Sequence, residues 1–138
     1  MTTNSGFSAI STTDEVLNGL DLVGRRFLVT GASGGLGLET SRALAAKGAI
    51  VLMTARDQVK NETAAAGIRA AHPDAKLESL ILDLGSLKSV RAAAAEFMSR
   101  NVALHGLILN AGIMATPLGH TVDGFEQQFG VDHLGHFL

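Results

Sequence analysis

Phe27-Leu28-Val29-Thr30-Gly31-Ala32-Ser33-Gly34-Gly35-Leu36-Gly37 is a short apolar run that breaks into glycines and then passes into a helical pattern. Glycines at such a bend take backbone angles closed to other residues and let a phosphate approach the main chain, where the free N–H groups of a helix N-terminus attract anions. The stretch reads as a phosphate cradle. A triphosphate loop needs Gly-Lys-Ser/Thr, whereas Gly35 and Gly37 are each followed by leucine, so the lysine for a terminal phosphate is missing and a dinucleotide is favoured.

The reading depends on a strand before the turn and a helix after it. Residues 26–30 supply the strand, and Leu36, Thr40, Ala43 and Leu44 repeat on one face of a helix that Gly48 closes. Residues 49–53 are continuously apolar, as expected of a parallel strand covered on both faces. Asp57 caps a second helix with a stripe of Val59, Thr63, Ala66 and Ala70, stopped by His72-Pro73; residues 77–82 form a third strand. Ser86 caps a helix carrying Leu87, Val90, Ala94 and Phe97, Asn101 is placed to close it, and residues 104–109 make a fourth strand. This alternation predicts an α/β fold, a Rossmann-type doubly wound parallel sheet in the order 3-2-1-4, with the glycine turn at the switch point and an incomplete edge at the fourth strand. The last helix is expected to start from an Asp-x-x-Glu cap at Asp123-Gly124-Phe125-Glu126, with Val122, Phe125 and Phe129 on one apolar face and Val131, Leu134 and Leu138 on another.

Composition narrows the function classes. With 138 residues, 46% hydrophobic and 17% charged, the chain has material for one core. A net charge of −2 gives no basic field for nucleic acid, and no apolar run approaches the roughly 20 residues of a membrane helix. There is no cysteine for a disulfide, a thiolate or a zinc cluster; the start Met1-Thr2-Thr3-Asn4-Ser5 lacks a signal-peptide core, so a cytoplasmic location is the expectation. Residues 1–24 read as an N-terminal extension whose Thr12 and Glu15 form a capping box for a short helix, and residues 25–138 as half of a dinucleotide-binding domain. No metal site is expected: His133 and His136 stand three apart, but nothing completes a ligand set, and they read as interface or packing residues. Met53, Met98 and Met114 read as core filler.

The spacing Gly-x-x-x-Gly-x-Gly of residues 31–37 closely resembles the cofactor motif of the short-chain dehydrogenase/reductases. Asn110-Ala111-Gly112 resembles that family's Asn-Ala-Gly motif. Residues 107–114 together with residues 129–138 are similar to the branch holding retinol dehydrogenases and the WW-domain oxidoreductase. The resemblance spans residues 22–138. It implies cofactor contacts from Gly31, Ser33, Gly34, Gly35, Leu36 and Gly37, an adenine-edge site at Asp83 and Leu84, and close approach of cofactor at Asn110, Ala111 and Gly112, with the asparagine bracing neighbouring strands. After the second strand, where an NAD-binding fold places an acid on the ribose, stand Thr54 and Ala55 and then Arg56, which suits a 2′-phosphate; NADP is expected, NAD being the alternative through Asp57. Asp132 occupies the position of the family's catalytic asparagine, which acts through its main-chain carbonyl on a water of the proton relay.

The family's chemistry rests on a serine and a Tyr-x-x-x-Lys, and this chain has no tyrosine. The resemblance places those residues beyond Leu138, in proteins of roughly 250 residues. The expected function is therefore the cofactor half of an NADP-dependent oxidoreductase of alcohol, aldehyde or ketone substrates, inactive by itself and homo-oligomeric through the last helix when complete. A non-catalytic dinucleotide sensor and an interaction fragment are the alternatives.

Overall fold

Four apolar runs become four parallel strands, β1 (Arg26–Thr30), β2 (Ile50–Ala55), β3 (Lys76–Ile81) and β4 (Gly106–Ile108), ordered β3-β2-β1-β4. The computed structural model describes residues 6–138; residues 1–5, and the signal-peptide reading made on them, lie outside that range. Leu28 pairs with Leu52 and Leu107, and Val29 with Met53 and Ile108, so alternate residues of each strand build a separate core on each face of the sheet.

On one face Val29, Val51 and Met53 pack against α2 (Gly35–Ala46) and α3 (Gln58–Ala71). On the other, Leu28, Leu52 and Leu80 meet Ala93 of α4 (Leu87–Ser99). The extension docks against α2: α1 (Thr13–Val16) has the Thr12/Glu15 capping box, Leu17 and Leu22 pack on the first core, and Arg42 of α2 joins Glu39 and Asp14 at 2.7 and 2.9 Å.

Several local expectations shift. β2 runs two residues further than its apolar stretch because Thr54 and Ala55 keep pairing with β3, while β4 pairs for three residues only, as the sheet edge. The buried stripe of α3 is Asn61, Ala65 and Ile68; Val59 is 75% exposed and Thr63, Ala66 and Ala70 face solvent. Alanines on both faces blurred the period, and the face is set by Asn61, whose amide donates to the Met53 carbonyl at 2.9 Å. Leu36 heads α2 in solvent, and of the three methionines named above only Met53 is in the core.

The last helix also begins later. Glu126, not Asp123, caps it, accepting the N–H of Gln128 and Phe129 at 2.9 and 2.8 Å. Asp123 reaches instead to the Leu87 N–H at the start of α4, 2.8 Å away. Val122 and Phe125 therefore belong to the preceding turn. From residue 129 the helix is wound as a π-helix, Phe129–Leu134, running into α5 (Gly135–Phe137).

Candidate functional site

The turn after β1 works because two of its glycines have no room for a side chain. Gly31 sits at φ +66° with its missing Cβ position 3.0 Å from Ala111 Cα, and a Cβ on Gly37 would run into the Gly31 carbonyl and, at 2.5 Å, the Asn110 amide nitrogen. The turn and the Asn110-Ala111-Gly112 segment are thereby pressed together. Beyond them α2 opens at Gly34. Thr12, Asp57 and Ser86 cap α1, α3 and α4 with side chains, but Gly34 offers none, and nothing lies within 4 Å of where its Cβ or that of Gly35 would be. The first-turn N–H groups of a twelve-residue helix are thus left for an anion.

Thr30 ties this corner together. Its buried hydroxyl accepts the N–H groups of Asn110 and Ala111, both at 2.9 Å, and the Asn110 amide donates to the Thr30 carbonyl at 2.9 Å. The asparagine thus bridges from β4 to β1. His136 Nε2 approaches the same hydroxyl at 2.9 Å, and His136 Nδ1 lies 3.2 Å from the Asp132 carbonyl oxygen. The Asp132 carboxylate accepts from the Ile113 N–H at 2.9 Å.

A groove of about 410 Å³ crosses the C-terminal ends of the strands, from Arg56, Asp57 and Lys60 past Thr30, Gly31 and Ser33 to Gly112, Ile113 and Val131. Asp83, Leu84 and Ala111 line it too, so seven of the cofactor residues named from sequence meet in one cavity. Leu36 and Gly37 stand behind the turn, and Asp132 lies behind Gly112, 3.6 Å from where that glycine's Cβ would be. Asp83 already serves its turn, accepting the Gly85 N–H at 2.9 Å, and Leu84 packs on Gly135. Asp57 Oδ1 is engaged in capping Lys60 N–H at 3.0 Å.

Charge is uneven along the groove. Arg26, Arg42 and Arg100 are all paired with carboxylates, whereas Arg56 and Lys60 make no ion pair among the described residues. Lys60 was not picked out from sequence; it lies in the first turn of α3 and lines the groove beside Arg56. His136 was read from sequence as an interface or packing residue, and its contact with Thr30 was not anticipated because it joins residues far apart in the chain.

The chain as a whole has counterparts among known proteins. The family model for short chain dehydrogenase matches residues 25–138. The chain belongs to the short-chain dehydrogenase family. Mouse retinol dehydrogenase 12 is 46% identical over 119 residues, which is 86% of this chain and 38% of that protein. A Mycobacterium paratuberculosis protein of known structure, described as uncharacterised, is 42% identical with a TM-score of 0.75 over 92% of this chain and 43% of its own. A metagenomic short-chain oxidoreductase solved in complex with NADP is 35% identical with a TM-score of 0.61 over 67% of this chain and 41% of its own. The chain therefore spans less than half the length of each of these proteins. Among the described residues no helix is long and apolar enough to cross a membrane.

Proposed function

We propose that this chain is the cofactor-binding half of an NADP(H)-dependent short-chain oxidoreductase, residues 25–138 forming that half and residues 1–24 an N-terminal extension whose α1 is clasped to α2. The carrying observation is an α2 N-terminus without a side-chain cap, next to a groove lined by Gly31 and Ser33 and also by Arg56 and Lys60, two cations with no ion pair among the described residues. The α2 terminus suits a diphosphate, with Gly31, Ser33, Gly34, Gly35, Leu36 and Gly37 giving main-chain access and Gly31 and Gly37 the close packing. Arg56 and Lys60 suit a 2′-phosphate, since no acid stands at Thr54 or Ala55 and the neighbouring Asp57 has an oxygen engaged by the Lys60 N–H.

Asp83 and the Leu84 N–H are assigned to the adenine edge, and Ala111 and Gly112, small and beside the turn, to the passage of the chain of phosphates and ribose. When bound, the dinucleotide supplies a hydride acceptor or donor for an alcohol or carbonyl carbon. Asp132 is assigned to the proton relay through its main-chain carbonyl, its carboxylate being committed to Ile113. The 138 residues contain no tyrosine, so the family's proton-exchanging group is not supplied from within them and the chain alone is expected not to turn over. Homo-oligomerisation would use the outer face of the last helix, where Phe129, His133 and Phe137 stack at 5.2 and 6.0 Å between ring centres.

Calorimetric titration of the folded chain with NADPH and with NADH tests this reading. Tighter binding of NADPH is expected. Equal affinities would remove the 2′-phosphate assignment, and no binding of either by a chain that circular dichroism shows folded would remove the cofactor reading for this chain.

A further inference from the structure

The hydroxyl of Thr30 has one hydrogen and two lone pairs. Both lone pairs are taken by the N–H groups of Asn110 and Ala111 at 2.9 Å, so the hydrogen must go elsewhere. Its two candidates are His136 Nε2 at 2.9 Å and the Ile108 carbonyl at 3.5 Å, and the shorter contact wins. Nε2 is then an acceptor. A neutral imidazole that accepts at Nε2 carries its proton on Nδ1, and Nδ1 faces the Asp132 carbonyl oxygen at 3.2 Å, an acceptor only. Two independent contacts thus fix one tautomer.

The winding of the helix gives this bond a purpose. In the π-helical stretch the Gly135 N–H donates to the Gly130 carbonyl five residues back, which turns the Asp132 segment out of α-helical register. Asp132 is held there at both ends, by Ile113 N–H on its carboxylate and by His136 on its carbonyl.

We propose that His136 is a positioning residue: as the Nδ1–H tautomer it bolts the Asp132 carbonyl to Thr30, and through Thr30 to the Asn110-Ala111-Gly112 turn. The wall of the groove remote from Arg56 and the group assigned to the relay then move as one body. This rests on the cofactor reading for its consequence but not for its geometry. Removal of the imidazole frees Thr30 to rotate and lets the turn beside Gly31 loosen, so cofactor binding weakens irrespective of the 2′-phosphate.

Long-range proton–nitrogen NMR of the histidine-labelled 138-residue chain at mildly alkaline pH reads the tautomer directly, with His136 assigned by comparison with His136→Gln. The expected spectrum shows a protonated Nδ1 and an unprotonated Nε2. An Nε2–H form, or an averaged mixture, overturns the proposal whether or not the chain binds cofactor. In the same samples His136→Phe, which keeps the ring volume, is expected to speed amide exchange at Ala111 and to weaken NADPH and NADH alike by about tenfold. His136→Gln, which still offers an acceptor to Thr30, should recover the Ala111 protection. Unchanged exchange in a folded His136→Phe chain would overturn the link. If the wild-type chain binds neither dinucleotide, the cofactor reading fails while the tautomer and exchange results still judge His136.

Discussion

Thr30, Gly37 and Arg56 each carry a separable part of the site. Thr30→Val keeps the shape of the side chain but removes the acceptor of two N–H groups, each worth about 1–3 kcal/mol when left buried and unpaired. Urea unfolding is expected to show a loss in that range or above, and Thr30→Ser, which keeps the oxygen, a much smaller one; equal losses would mean that packing, not the hydroxyl, matters. Gly37→Ala places a methyl against the Gly31 carbonyl and the Asn110 amide and is expected to abolish binding of both dinucleotides. A folded variant with unaltered affinity would refute the cradle. Arg56→Ala and Lys60→Ala should each weaken NADPH by about tenfold or more while leaving NADH nearly unchanged, since a charged hydrogen bond contributes about 1.5–3 kcal/mol. Parallel losses for both cofactors, measured by calorimetry, would move these cations from specificity to general field.

The joint between α1 and α2 is electrostatic and so depends on pH. Glu39 is held down to about 2 from its ordinary 4.5, chiefly by its hydrogen bonds from Arg42 and then by the Thr13 hydroxyl. A carboxylate depressed in this way contributes fully above its unfolded value and loses its contribution as pH falls through its folded one. The clasp should therefore loosen between pH 4.5 and about 2. Because Glu39 is half-exposed, solvent screens the pair and the effect is expected to be local. The amide of Leu22, bonded to the Lys47 carbonyl at 2.9 Å, should lose protection in that window while Leu52 in the core keeps its own. Glu39→Gln should mimic the loosening at neutral pH. Simultaneous loss at Leu22 and Leu52 would show instead that the extension is part of one cooperative unit.

For the molecule as a whole, the exposed side is the one beyond β4. Leu107 and Leu109 are about half exposed beside a largely apolar groove of about 210 Å³, and Phe137 is 82% exposed at the end of the ring stack. A three-residue edge strand with open main-chain groups adds a template for pairing. Sedimentation velocity on the 138-residue chain is expected to show concentration-dependent association, reduced by Phe137→Lys and by Leu107→Lys. A monomer across the accessible concentrations would show that these surfaces are tolerated wet.

Much of this was readable along the chain. The strand before Gly31, the helix after it, the caps at Thr12, Asp57 and Ser86, and the order 3-2-1-4 follow from period, turn chemistry and the handedness of crossovers, all of which act over a few residues or by rule. The buried face of α3 was not readable, because alanine burial on one side of a helix is settled by what the other elements offer, here the Met53 carbonyl for Asn61. Nor was the reach of Asp123 to α4, nor the bond from His136 to Thr30 across 106 residues of sequence. Those contacts exist only once the sheet has brought the ends of β1 and β4 together under the last helix, since no spacing along the sequence encodes which polar atom a folded neighbour will present.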